Sequence, residues 1–462
     1  MTDLYDSQQH PLRLGERIGG GGEADIYLVD GEPTRVAKCY KPGPRRGYNR
    51  KLAWMVAHPP DDPTRASGHI SIAWPTDLLY SRRGRLVGYL MPYIKNAVSV
   101  LKVYNPRERA RTLPAFNWRY LHRTARNLAA AIHTLHRHDY VVGDLNESNV
   151  LATPTALVTL IDTDSFQVIE QQPPQLIVYP CPVGKPEYTP PELQGVSFQQ
   201  VLRKPEHDNF SLGVLIFQLL MDGNHPFRGR WQGRGDPPTI EDKIRQGWFP
   251  YSNPSGYPIA PPPNILPLDR LHPGIVALVQ RCFVDGHKDP RRRPTAKEWE
   301  QALEEAEHAL VECTNGHVYV GHLSKCPYCG MGPKVQHVFW QSPRPAPKPP
   351  HRPPSPAPMP DTPQTNPLPA TTPSAPTSAP PIQTVTCPTC GANQPTGMRW
   401  CMRCGAPFVA ITCPACRTVN PPGNVYCQNC ARQLTPSRTC PYCKQGTAQG
   451  LRFCIHCGQP LI

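Results

Sequence analysis

Apolar and polar positions fall into four successive patterns along the chain. From residue 11 to about 310, short runs rich in β-branched and aromatic residues come first, at Ala24–Asp30, Arg35–Lys41, Leu78–Ser81 and Leu86–Pro92, and predict strands. Helical spacing follows. Trp118–His136 places Leu121, Leu128, Ile132 and Leu135 on one face, whereas Asn209–Met221 is apolar nearly all round and predicts a buried helix. After Arg293-Pro294, the run Thr295-Ala296-Lys297-Glu298 is a capping box, continued by Trp299, Leu303 and Leu310. Strands first and helices later predict an α+β domain with two unequal lobes over 11–310.

Beyond residue 310 the core-forming pattern stops. Residues 311–334 are a short Cys/His segment. Residues 335–385 are expected to form a Pro-rich disordered linker, since 17 of the 61 prolines lie between Pro343 and Pro381 and such a stretch cannot bury a core. Residues 386–462 repeat with a period of 26 to 27. No apolar run approaches the roughly 20 residues of a membrane span, and the polar, acidic start MTDLYDSQQH lacks a signal-peptide profile. The expectation is a modular cytoplasmic protein with no membrane partner.

Candidate chemistry lies first in Ile18-Gly19-Gly20-Gly21-Gly22-Glu23-Ala24, between two strand-like runs, where glycines let backbone N–H groups approach phosphates. Val36-Ala37-Lys38 then puts one lysine on a strand. Gly143-Asp144-Leu145-Asn146-Glu147-Ser148-Asn149 follows the long helix, and Leu160-Ile161-Asp162 ends a later strand-like run. In this order the parts resemble the protein kinase superfamily, and the Gly-Asp-Leu-Asn and Ile-Asp-Thr-Asp-Ser-Phe runs resemble its divergent bacterial Ser/Thr type.

The resemblance implies a bilobal fold that binds ATP and Mg²⁺ and phosphorylates Ser/Thr on protein substrates. Gly19 and Gly21 match the first two glycines of the loop over ATP, with Ala24 in place of the third; Ile26 stands beside them. Lys38 matches the lysine on the α and β phosphates. Asp144 matches the catalytic aspartate, and Asn149 and Asp162 match the metal ligands, with Asp-Thr-Asp replacing Asp-Phe-Gly. Leu86–Tyr93, with Met91 and Tyr93, matches the hinge that holds adenine. Asp208 matches the aspartate that steadies the catalytic loop, and Glu192 and Arg293 a structural ion pair.

Four departures stand out. Val142-Gly143 replaces the usual His-Arg, so no arginine is present to read a phosphorylated activation loop. Asn146 replaces a lysine, and Gly184-Lys185 replaces Gly-Thr, which suggests that Lys185 supplies the missing charge beside Asp144. Arg45–Pro60, where the regulatory helix should be, contains no glutamate to pair with Lys38. An active kinase and a nucleotide-binding pseudokinase scaffold are therefore both open.

The eighteen cysteines suggest Zn²⁺. Three repeats share one Cys-x2-Cys-x10-Cys-x2-Cys spacing: Cys387, Cys390, Cys401 and Cys404; Cys413, Cys416, Cys427 and Cys430; Cys440, Cys443, Cys454 and Cys457. Two such knuckles complete one tetrahedral site, so the repeats resemble tandem zinc ribbons. Cys313, His317, Cys326 and Cys329 are expected to make a fourth site, with His322 as a competing ligand. Residues 386–462 hold seven Lys/Arg and no Asp/Glu, which invites a nucleic-acid partner. In the ribbons, however, four thiolates per Zn²⁺ offset most of the basic charge, which favours recruitment of protein.

Overall fold

The computed structural model describes residues 4–43, 47–172, 175–252, 257–263 and 265–334, and the backbone of six short strands further on. Residues 1–344 form one compact unit and 345–462 a second. Among the described residues, no helix is long and apolar enough to cross a membrane.

The first lobe of unit one is an antiparallel sheet of β1 (Leu4–Tyr5), β2 (Pro11–Leu12), β3 (Leu14–Gly20), β4 (Ala24–Val29), β5 (Arg35–Tyr40), β6 (Asp77–Ser81) and β7 (Leu86–Pro92), in the order 2-1-6-7-5-4-3. The four strands read from the sequence are β4 to β7, within a residue at each end. Alternation along β5 sends Ala37 to a small outer cluster with Val29, Leu79 and Leu90, and sends Val36 and Lys38 to the inner face. Helix α1 (Tyr48–Ala57) packs Leu52 and Met55 into the main core.

The second lobe is helical: α2 (Val100–Tyr104), α3 (Pro106–Thr112), α4 (Trp118–Arg137), α5 (Pro205–Leu220), α6 (Ile240–Gln246), α7 (Pro273–Gln280) and a last helix, Ala296–His308. Asn117 caps α4 by accepting from the Arg119 and Tyr120 amides, and the predicted stripe Leu121, Leu128, Ile132 and Leu135 is buried. Helix α5 is buried on every side from His207 to Leu220, as its unbroken apolar pattern requires. The capping box before the last helix forms: Thr295 Oγ1 accepts from the Glu298 amide, and Glu298 returns a carboxylate to the Thr295 amide at 2.8 Å.

A three-stranded sheet of β8 (Val98–Ser99), β9 (Val150–Ala152) and β10 (Val158–Leu160) carries the loops between the lobes. Beyond it, β11 (Val168–Gln172) and β12 (Gln175–Tyr179) form a hairpin. Glu170 on β11 accepts from Arg50 of α1 at 2.8 Å and from the Tyr179 hydroxyl at 2.7 Å, so hairpin and helix are tied together.

The Cys/His segment belongs to the same compact unit as the two lobes. Its hairpin, Leu310–Glu312 with Val318–Val320, packs Leu310, Val318 and Val320 against Trp118 of α4, and Arg119 donates to the Leu310 carbonyl. The linker expected at 335–385 lies, up to residue 383, outside the described residues, as do the cysteines of the three ribbons. In unit two, Thr384–Thr386 pairs with Asn393–Pro395, Ile411–Thr412 with Val419–Asn420, and Ser437–Thr439 with Gly446–Ala448. Each hairpin brackets the first Cys-x2-Cys pair of one repeat.

Candidate active site

A cavity of about 650 Å³ opens between the two lobes of unit one. The β3–β4 hairpin roofs it with Gly20, Gly21, Gly22 and Ala24, and Ile26 and Lys38 line its wall. Gly19 does not line it; it stays in the ladder opposite Ile26. A Cβ on Gly21 or Gly22 would meet nothing within 4 Å, so the roof is open there, and Lys41 donates to the Gly21 carbonyl at 2.6 Å.

Met91, Tyr93 and Ile94 form the rear wall. Most of Leu86–Pro92 is a ladder strand paired with β5, so the hinge is shorter than the sequence suggested. The Tyr93 amide donates to Thr34 at 2.8 Å, while the Ile94 amide makes no hydrogen bond among the described residues.

The floor carries Asp144, Asn149 and Asp162. Asp208, at the start of α5, accepts from the Val142 and Gly143 amides at 2.8 Å each and from His136 at 3.0 Å, which fixes the loop leading into Asp144. Gly143 has φ +73°, and a Cβ there would lie 2.7 Å from the Cys181 Cβ. Any side chain at this position would meet Cys181 and sit on a backbone that L residues rarely adopt. The Asp144 carboxylate accepts from Asn146 Nδ2 at 2.8 Å, the Lys185 amide at 3.2 Å and Asn149 Nδ2 at 3.3 Å. Burial raises its pKa above the ordinary aspartate value, against the pull of the Asn146 and Lys185 N–H groups.

The Lys185 expectation is corrected. Its ammonium pairs with Glu147 at 2.8 Å and Ser148 at 2.7 Å, and only its backbone N–H reaches Asp144. Asn146, in the place of the missing lysine, donates to Asp144 directly.

Asp162 has a left-handed backbone, φ 62°, uncommon for a residue with a side chain, and caps the 3-10 turn Thr163–Ser165. Lys38 Nζ lies 2.5 Å from Asp162 Oδ1 and 2.5 Å from Asp164 Oδ1. Asp164 is buried and also accepts from Tyr40 at 2.7 Å and Tyr89 at 2.8 Å, while Lys51 of α1 donates to its backbone carbonyl at 2.6 Å. Burial would lift the Asp164 carboxyl, but the Lys38 charge and these donors hold it below the usual range. Burial would likewise lower Lys38, and the two aspartates outweigh it. Sequence reasoning missed Asp164, Tyr40, Tyr89 and Lys51; the one local signal was a second aspartate two residues after Asp162.

The Cys/His segment brings its four residues together. The Cys313–His317, Cys313–Cys329 and Cys326–His317 ligand atoms are 3.6, 3.6 and 3.8 Å apart, and all four lie within 4.8 Å of one another. A tetrahedral Zn²⁺ with bonds of about 2.3 Å to sulfur and 2.0–2.1 Å to nitrogen has edges of about 3.6–3.8 Å, so the donor set fits. His322 is not part of the cluster; its Nε2 lies 3.1 Å from the Asp269 carbonyl.

A protein kinase domain model matches residues 94–304, and a double zinc ribbon model matches 387–430 and 413–458. Residues 94–304 thus form a domain of the protein kinase superfamily. The chain is 34% identical over 334 residues to Protein kinase YegI of Escherichia coli (strain K12), covering 71% of this chain and 50% of that protein, with the same figures for the O157:H7 relative. It is 27% identical over 173 residues to Serine/threonine-protein kinase GRIK1 of Arabidopsis thaliana, covering 37% of this chain and 36% of that protein. The chain thus spans about half the length of the YegI proteins it matches. The kinase model begins after the glycine loop and Lys38, so their assignment rests on the cavity geometry.

Proposed function

We propose that the chain transfers the γ-phosphoryl group of ATP to Ser/Thr hydroxyls of proteins. The observation that carries this reading is the convergence of Lys38, Asp144, Asn149 and Asp162 on one cavity under an open glycine roof. The volume suits a nucleotide. The Ile94 amide is the hinge donor for adenine, since that of Tyr93 is engaged. Asn149 holds Asp144 through its Nδ2, which leaves Oδ1 to ligate Mg²⁺, and half-exposed Asp162 would supply the second ligand. Mg²⁺ held by these residues would offset charge on the phosphates. Asp144, aimed by three N–H donors, accepts the proton as the hydroxyl oxygen bonds to phosphorus and ADP departs. The Arabidopsis relatives are Serine/threonine-protein kinases by name, which favours Ser/Thr acceptors.

Further sites follow from the same reading. Cys313, His317, Cys326 and Cys329 hold one Zn²⁺ on the kinase unit, and the twelve ribbon cysteines hold three more in a module that recruits protein partners. Its seven Lys/Arg residues are nearly offset by the thiolates. A cysteine set built for metal rather than disulfides suits a cytoplasmic setting.

The test is incubation of the full chain with γ-labelled ATP and a generic protein acceptor. Label is expected on Ser/Thr and should be lost in Asp144→Asn and Asp162→Asn. Nucleotide binding without label transfer, under Mg²⁺ or Mn²⁺, would instead establish a scaffold.

A further inference from the structure

We infer that Asp164 is the counterion that positions Lys38 for nucleotide, in place of a glutamate on the regulatory helix. Kinases ordinarily need the strand lysine paired with a helix acid before the site is competent. Here α1 carries no acid and instead turns Lys51 toward the site. The carboxylate comes from the turn after Asp162. The inference rests on the phosphoryl-transfer reading above.

The two aspartates on Lys38 have different surroundings, and these divide their roles. Asp164 has its side chain only 6% exposed and both oxygens engaged: Oδ1 by Lys38 and Tyr89, Oδ2 by Tyr40. A metal ion could reach it only by displacing an ammonium and two tyrosine hydroxyls, one of them, that of Tyr89, on a fully buried side chain. Asp162 has its side chain 40% exposed to the cavity, and among the described residues Lys38 is its one side-chain partner. Asp162 is thus free to turn to a metal ion, and Lys38 then keeps Asp164.

Both acids sit in one short turn, Thr163–Ser165 with its cap, so the lysine and the metal ligand are registered by the same backbone. Tyr40 and Tyr89 hold Asp164 from two adjacent strands of a rigid sheet. Helix α1 touches the arrangement from behind, through Lys51 to the Asp164 carbonyl and Arg50 to Glu170. The Lys38 ion pair therefore does not wait for the helix to deliver a carboxylate. Asp164 is a positioning residue: it acts on nucleotide through Lys38.

A double-mutant cycle on the full chain tests this. Affinity for a fluorescent ADP analogue is measured without divalent cation, in wild type, Lys38→Met, Asp164→Asn and the double variant, alongside thermal melts. Lys38→Met should weaken binding at least tenfold in the wild-type background and less than threefold in the Asp164→Asn background, because an unaimed lysine has little left to lose. Equal factors in both backgrounds overturn the proposal. Should Asp164→Asn fail to fold, Tyr40→Phe/Tyr89→Phe strips the aiming hydroxyls and keeps the charge; the Lys38→Met effect should shrink at least threefold there, and an unchanged effect is again decisive against it. Turnover with Mg²⁺ and ATP is read in parallel. A wild type that binds ADP but never transfers phosphate would defeat the kinase reading and leave the binding cycle to judge Asp164.

Discussion

Lys51→Met should stabilise the protein at neutral pH and lose that advantage in alkali. The Lys51 residue is only 3% exposed; its ammonium donates to the Asp164 carbonyl and lies 5.8 Å from the Tyr48 ring centroid. Burial pushes its pKa down from 10.5 to about 8, although Asp164, Cys181 and Asp162 pull the other way. That difference corresponds to roughly 3 kcal/mol of cost for carrying the charge in the folded state. Removing the ammonium also removes one hydrogen bond worth about 1 kcal/mol, so the net gain at pH 7 is roughly 2 kcal/mol. The sign with pH follows from proton counts. Between about pH 8 and 10.5 the unfolded chain binds more protons at this lysine, so its contribution to wild-type stability rises with pH. The advantage of methionine should then shrink over that window and reverse to about 1 kcal/mol against it once the lysine is neutral in both states. Urea unfolding of the two proteins at pH 7, 9 and 10.5, compared at equal slope, measures the difference and cancels the other titrating groups. A variant less stable than wild type at pH 7, or a gap that does not change with pH, would refute the reasoning.

Four further outcomes are expected. Glu192→Ala should cost about 3 kcal/mol at neutral pH, because it strands the fully buried Arg293 guanidinium that the carboxylate meets twice at 2.7 Å; a melting temperature within a degree of wild type would count against it. Although burial opposes it, Arg293 holds the Glu192 carboxyl below the usual range, so this stabilisation is present above the ordinary glutamate pKa and is lost as pH falls through the lower folded value. Burial raises the Asp144 pKa, so the acid limb of kcat/KM should lie above the ordinary aspartate value of 3.8, activity falling as the base is protonated; a limb at or below 3.8 contradicts the assignment. Elemental analysis should find close to four zinc ions per chain, one in a fragment of residues 1–334, and one fewer after Cys326→Ser. Because the Gly143–Cys181 contact leaves no room for a phosphate-reading arginine, phosphatase-treated protein should keep its rate; a tenfold loss restored by autophosphorylation would show otherwise.

Much of this protein is legible without a structure because local chemistry decides it. Period-2 and period-3.6 patterns place β4 to β7, α4, α5 and the last helix, since burying one face is the dominant demand on each. Lys38, Asp144, Asn149 and Asp162 stand in an order that resembles the kinase pattern, and all four line one cavity. The cysteine spacing, too, carries its ligand chemistry within a few residues.

Tertiary contact decided the rest. Asp164 looks like an ordinary turn residue until folding brings it against Lys38, 126 positions away, and against two tyrosines on neighbouring strands. Lys185 matched the expected charge in sequence, yet Glu147 lies nearer to its ammonium than Asp144 does, and proximity settles an ion pair. His317 and His322 are equivalent as letters, and only the hairpin geometry turns one toward three thiols and the other toward the Asp269 carbonyl. In each case the residue type states what a side chain can do; which partner it meets depends on segments that are distant in sequence, and no local pattern encodes that meeting.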